Sequence, residues 1–256
     1  MLKKVLTVIL MAAVVTVGFV SACAEEQKIL KMGSSCDFPP YEYYDDETGE
    51  IVGIDVEIAQ AIAAALGYKL EVVDMQFDAI INHVTTGKVH IGMSGFTITE
   101  DRKQNVDFSI PYTTAQQSVL VMKEGSKITR LDDLFDPETE LNIGVQTGTT
   151  GDLYITGDVE EKGLKHSIDR FNKYSDAVMA LQSGKIDCVI VDDQVAINFA
   201  NAHENLTKLD TAYALEEYAA CFAKGDPLRE AFDAELQKLL DDGTVQQIID
   251  KYISAE

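Results

Sequence analysis

Arg102 closes the run Ser94-Gly-Phe-Thr-Ile-Thr-Glu-Asp-Arg102. A guanidinium grips a carboxylate through two parallel hydrogen bonds, a geometry that Lys cannot imitate. The spacing predicts a helix beginning near Thr99. Arg102 then falls in its first turn, beside free backbone N–H groups that also favour anions. Asp192 follows the apolar stretch Ile186–Val191 and could neutralise a cation. Between them, Gly148-Thr-Thr-Gly151 is a turn of small residues that leaves backbone donors exposed. Each feature also has a plainer use. An Arg after Thr-Glu-Asp serves as a surface ion pair. An Asp after a strand serves as a helix N-cap, and Asp192 and Asp193 compete for that post.

Alternating elements must position these groups. Strands are predicted at Lys28–Ser35, Tyr68–Met75, Val89–Ser94, Leu141–Val145, Ile186–Val191, Leu206–Leu209 and Tyr218–Phe222. Helices are predicted at Asp55–Leu66, Asp78–Thr86, Ser175–Ser183 and Asp192–Ala202, and another after Gly151. Two more close the chain, one with Asp226 as N-cap and Pro227 at its first position, the other with a capping box from Thr244 to Gln247. This alternation implies an α/β architecture with mostly parallel sheets. A helix, then Gly-Lys, then a strand occurs at Asp78–Gly95 and again, 97 residues later, at Ser175–Asp192. The echo suggests two similar lobes, with Gly95 and Asp192 at equivalent strand ends. Ligands of open α/β sheets gather at such carboxyl ends.

Composition narrows the function. The chain has 256 residues and a net charge of −22, which repels nucleic acid. Lys3 and Lys4 precede an uncharged apolar run from Val5 to Ala22, the layout of a signal peptide over residues 1–22. Val20-Ser-Ala-Cys23 resembles a lipobox, which implies that Cys23 carries the lipid and that residues 23–27 form a tether. An uncleaved membrane anchor is the alternative. Cys36, Cys188 and Cys221 show no CxxC or zinc spacing and read as core thiols. His83, His90, His166 and His203 match no metal spacing, so neither metal nor cofactor is expected.

Gly53-Ile-Asp-Val-Glu-Ile-Ala-Gln-Ala-Ile-Ala-Ala-Ala-Leu66 resembles the signature of the bacterial extracellular solute-binding proteins, family 3, which take polar amino acids for ABC transporters. Phe38-Pro-Pro-Tyr-Glu42, Ser94–Arg102, Asn105–Tyr112, Gln146-Thr-Gly-Thr-Thr150, Ile186–Asp192 and Asp242-Gly-Thr244 agree with that family in order and spacing. The resemblance runs from about Leu30 to Tyr252. It implies a two-lobed periplasmic-binding-protein-like fold of type II, with the ligand cleft between lobes joined by two crossings near Tyr112–Gln116 and Ala214–Tyr218. Lobe I would be 28–113 and 218–256, and lobe II 114–217.

The resemblance also implies a site. A free amino acid is a zwitterion, and burying it demands a partner for each charge. Arg102 and the N–H groups of Thr97 and Thr150 would take the carboxylate. Asp192, the Gly95 carbonyl, the Thr97 hydroxyl and Ser94 would take the ammonium. Phe38 and Phe77 would sandwich the side chain. Ser35 stands where relatives for cationic or amide ligands carry Asp, which favours a neutral polar ligand; Asp37 and Glu42 keep a cationic one open. The implied protein is a monomeric, non-enzymatic importer component. It would be lipid-anchored at the outer face of the cell membrane (periplasmic in a Gram-negative cell) and hand its amino acid to an ABC permease. A ligand-sensing module and a dehydratase of the same fold are the alternatives.

Overall fold

The computed structural model describes residues 27–210 and 212–253. The predicted leader and Cys23 lie outside the described residues. Two sheets form two α/β lobes. In the first, strands lie in the order Tyr68–Asp74, Lys28–Ser34, Ile91–Gly92, Cys221–Ala223, Val106–Phe108. The first three are parallel, and Cys221–Ala223 runs antiparallel to both neighbours. In the second the order is Ser167–Phe171, Asn142–Gln146, Cys188–Asp192, Thr113–Met122, Leu206–Lys208, and Ala214–Tyr218 also pairs with Thr113–Met122. Its first three strands are parallel and the rest antiparallel.

The sheets are therefore mixed, not mostly parallel. Each lobe contains a parallel unit of three strands linked by helices, with its second strand on the outside and its first in the middle; in lobe I a small three-stranded sheet (Asp37–Phe38, Glu42–Tyr44, Ile51–Val52) precedes the first helix. Strands that cross between lobes or return from them can join only antiparallel. The sequence echo at Gly87-Lys88 and Gly184-Lys185 falls in the same place of both units, after the second helix. Site residues consequently sit at carboxyl ends of parallel strands in both lobes: Ser35, Ser94 and Gly95 in one, Gln146 and Asp192 in the other.

Local chemistry explains several element ends. The helix Ile54–Ala65 has no side-chain cap; its first N–H groups, from Ile54 and Asp55, reach the carbonyls of Pro40 and Tyr41 at 3.0 Å each. Gly53 makes that approach possible. Its φ is +132°, and a Cβ there would lie 2.1 Å from the Tyr41 carbonyl oxygen. The predicted capping box from Thr244 is absent: Thr244 is the first helical residue, Gly243 precedes it, and Asp242 accepts the Thr244 N–H at 2.9 Å. Asp226 takes the Leu228 N–H at 2.9 Å, although the helix begins at Leu228, one residue after Pro227. The predicted strand over Tyr218–Phe222 divides, with Ala214–Tyr218 pairing in lobe II and Cys221–Ala223 in lobe I.

Apolar cores fix both lobes. In lobe I, Met32, Ile58, Ile62 and Ile91 are fully buried around the central strand. Phe232, from the C-terminal helix Leu228–Asp241, meets Phe222 edge-on at 5.3 Å and returns that helix to the lobe. Truncating such a phenylalanine costs about 3–5 kcal/mol. In lobe II, Val119, Ile143, Val145 and Ile190 fill the equivalent place. Cys36, Cys188 and Cys221 are buried free thiols.

Candidate functional site

Thr99 caps the four-residue helix Glu100–Lys103 by accepting the Arg102 N–H at 3.1 Å. That cap turns the Arg102 side chain inward, where it is only 7% exposed. The guanidinium lies over Phe96 at 4.6 Å and Phe77 at 5.3 Å, and those two rings stack on each other at 4.7 Å. Its Nη1 donates to the Thr97 carbonyl at 2.8 Å. Its Nη2 donates across the cleft to the Gly148 carbonyl at 3.2 Å. Burial pulls its pKa down, and the field of Glu216 opposes that pull.

Further contacts join the lobes around the same point. The Thr97 and Thr150 hydroxyls are 3.3 Å apart. Gln146 Nε2 donates to Ser35 Oγ at 3.1 Å, and Phe38 packs against Tyr174 at 5.6 Å. Asp37 accepts the Ser175 N–H at 3.4 Å. These contacts surround a small cavity between the lobes.

Six of the expected residues line it: Phe38, Phe77, Ser94, Gly95, Thr97 and Thr150. Gly95 has φ +51°, and a Cβ there would meet the Phe38 ring at 2.7 Å. Arg102 and Asp192 do not line it, but each holds a lining residue. Arg102 binds Thr97, and Asp192 accepts the Tyr218 hydroxyl at 2.8 Å. Asp192 also wins the N-cap post of the helix Asp193–Ala202, accepting the Gln194 N–H at 2.9 Å. Burial drives its pKa up to about 7, against the pull of Tyr218 and the capping N–H groups.

Other lining residues had weaker signals. Gln146 and Thr149 lie in a quoted motif, but no role attached to them. Gln117, Tyr174 and Tyr218 gave none, since strand and helix periodicity cannot say which lobe a residue will face. Glu42 is fully buried and lines the cavity. Its Oε1 accepts the Ser94 hydroxyl at 2.6 Å, and its carboxyl is hydrogen-bonded to that of Asp55. Asp55 lies beside it and accepts both the Gly95 N–H at 2.8 Å and the Tyr112 hydroxyl at 2.7 Å. Burial raises Asp55 to about 6. Burial and the neighbouring Asp55 push Glu42 well above the carboxylate range.

Residues 30–255 match the model of the bacterial extracellular solute-binding proteins, family 3. The chain belongs to this family. Among family relatives, the arginine-binding extracellular protein of Bacillus subtilis strain 168 is 34% identical over 233 residues, covering 90% of this chain and 88% of that one. A solved ancestral arginine-binding protein bound to arginine superposes with a TM-score of 0.81 at 34% identity, covering 88% of this chain and 98% of its own. An ancestral amino-acid-binding protein, described as a precursor of cyclohexadienyl dehydratase, superposes with a TM-score of 0.78 at 34% identity, covering 88% and 95%. The fold is thus the two-lobed, type II arrangement, and these relatives are amino-acid-binding proteins rather than enzymes.

Proposed function

We propose that this family member captures a free α-amino acid with a cationic side chain between its lobes and hands it to an ABC permease. The observation that carries the ligand class is the buried Glu42 carboxyl in the cavity wall, with the Asp55 carboxyl beside it. Two neighbouring buried carboxyls, Glu42 and Asp55, have no buried Lys or Arg beside them. Arg102 is the one buried Lys or Arg among the described residues, and it is held by the Thr97 and Gly148 carbonyls. An acidic pair that can give up its shared proton meets a guanidinium or ammonium better than a neutral amide. Ser35 favours a neutral polar ligand; this reading takes the cationic one that Asp37 and Glu42 keep open. The arginine-binding relatives support the same choice.

In this reading Arg102 and the N–H groups of Thr97 and Thr150 hold the α-carboxylate. The Gly95 carbonyl, the Thr97 hydroxyl and Ser94 meet the ammonium, with the Asp192 carboxyl behind them at the Tyr218 hydroxyl. Phe38 and Phe77 flank the side chain, whose charged end reaches Glu42. Closure brings lobe I (28–113 and 218–256) onto lobe II (114–217), so ligand favours the closed form through contacts absent when open. A diacyl anchor on Cys23 would hold a monomer at the outer face of the membrane, beside its permease.

Calorimetric titration with L-arginine, L-lysine, L-glutamine and L-glutamate tests the ligand class. Tight binding of arginine or lysine is expected. Tight glutamine or glutamate binding with none for the cations would refute it. A dehydratase reading draws on the dehydratase precursor and on an Asp192 that retains its proton near neutrality. Turnover of a cyclohexadienyl acid by purified protein would favour it.

A further inference from the structure

Gln117 lies on the crossing strand Thr113–Met122, paired directly with Asp192 on its neighbour. The two side chains therefore leave the sheet on the same face. Gln117 is 3% exposed and lines the cavity. Its Nε2 donates to Glu216 Oε2 at 2.9 Å. A carboxylate only accepts, so this bond fixes which end of the amide is which. The amide oxygen must point the other way. There it has no hydrogen-bond partner among the described residues, although it is buried. Such a buried orphan acceptor is destabilising unless a donor arrives. Gly151 leaves room for it, since a Cβ at that position would lie 2.9 Å from Gln117 Oε1.

An α-ammonium group has three N–H bonds to place. Asp192, already engaged by Tyr218, Gln194 and Val195, is behind the cavity wall rather than on it. The Thr97 hydroxyl is shared with Thr150. A further acceptor on the wall, beside Asp192, completes the shell. Glu216 is itself 6% exposed and does not line this cavity, so it orients the amide instead of meeting the ligand. We propose that the Gln117 side-chain carbonyl, aimed by Glu216, accepts a hydrogen bond from the ligand's α-ammonium group. This rests on the reading that the ligand is a free α-amino acid.

The test is calorimetric titration of L-arginine and of its des-amino analogue, 5-guanidinopentanoate, into wild type, Gln117→Met and Glu216→Gln. A hydrogen bond to a charged group corresponds to roughly 10–100-fold in affinity. Gln117→Met should weaken L-arginine by that factor and change the analogue by less than about threefold. Retained analogue binding also shows that the variant is folded. Glu216→Gln lets the amide rotate and should give a smaller loss, again confined to L-arginine. Equal losses for both ligands, or no loss for L-arginine, would overturn the proposal; if Gln117→Met does not fold, Glu216→Gln decides by the same criterion. If wild type takes L-glutamine instead of L-arginine, the cationic reading fails. Gln117 is then judged with L-glutamine against glutaramate.

Discussion

Lobe I brings Glu42, Asp55 and Arg102 to the cleft, all buried, while the facing wall of lobe II offers Gln146, Thr149 and Thr150. The lobe I carboxyls are anchored within their own lobe, Glu42 by Ser94 and Asp55 by Gly95 and Tyr112. The lobe II side chains are anchored partly across the gap, Gln146 to Ser35 and Thr150 against Thr97. Asp192 is the exception in lobe II, and its carboxylate is spent largely on its own helix and on Tyr218. In the proposed function, charge selection is built into one lobe before closure, and the other lobe supplies neutral contacts that exist only after it. A cation or carboxylate set within one rigid lobe loses little entropy on binding, whereas contacts across the gap must repay the ordering of two lobes.

That contrast can be broken by substitution. The largest effect is expected at Arg102. In the proposed site, Arg102→Ala removes one member of a buried ionic contact with the ligand, worth about 3–5 kcal/mol, so calorimetry should show a loss of roughly 10²–10⁴-fold for every amino acid bound. Arg102→Lys should fall well short of rescue, because Lys cannot make the two parallel bonds. Wild-type affinity in either variant would break the comparison at its base.

Glu42→Gln comes next and sharpens it. L-arginine binding should weaken by roughly 10–100-fold, the range for a charged hydrogen bond, and any residual L-glutamine binding should stay unchanged. A uniform loss would make Glu42 a structural residue of lobe I.

The pH dependence separates Asp192 from the lobe I acids. Asp192 and Asp55 titrate at about 7 and about 6 in the folded protein, against an ordinary 3.8. Between about pH 4 and 7 the folded protein therefore keeps protons that the unfolded chain has released. Stability without ligand should be greatest at the acid end of that window and decline as pH rises through it. Asp192→Asn should flatten the decline in melting temperature, most clearly above pH 6. An unchanged slope would show that Asp192 does not hold a proton there.

Gln146→Leu should give the smallest change. It removes the bond to Ser35 across the gap, worth about 1 kcal/mol, so ligand dissociation should speed by roughly fivefold. The association rate should hold, since lobe I still recognises the ligand. Stopped-flow fluorescence of ligand release measures both. A slower association would place recognition in lobe II as well.

Much of this was legible in the residues. The helix starting near Thr99 that carries Arg102, the helix expected over Asp55–Leu66 and the turn into the Thr150 helix follow from local periodicity and turn chemistry, and they appear in the fold. The motifs around Phe38, Ser94–Arg102 and Gln146–Thr150 led to five residues that do share a cavity, and Phe77, expected from the family resemblance, joins them. Short-range chemistry sufficed because each motif carries its own backbone geometry. The mixed sheets were not legible, because the antiparallel strands Thr113–Met122 and Ala214–Tyr218 take their direction from crossing between lobes.

The amino-acid sequence by itself determined the family, the alternating elements and the two charged residues around which a zwitterion could be held. Only the tertiary structure decided that Asp192 caps a helix behind the wall, that Glu42 is buried beside Asp55 in it, and that the Gln117 amide oxygen is buried without a partner. The reason is physical. Capping and periodicity act over three or four residues, but a buried polar atom is satisfied or orphaned by neighbours up to about a hundred positions away, such as Glu216 for Gln117.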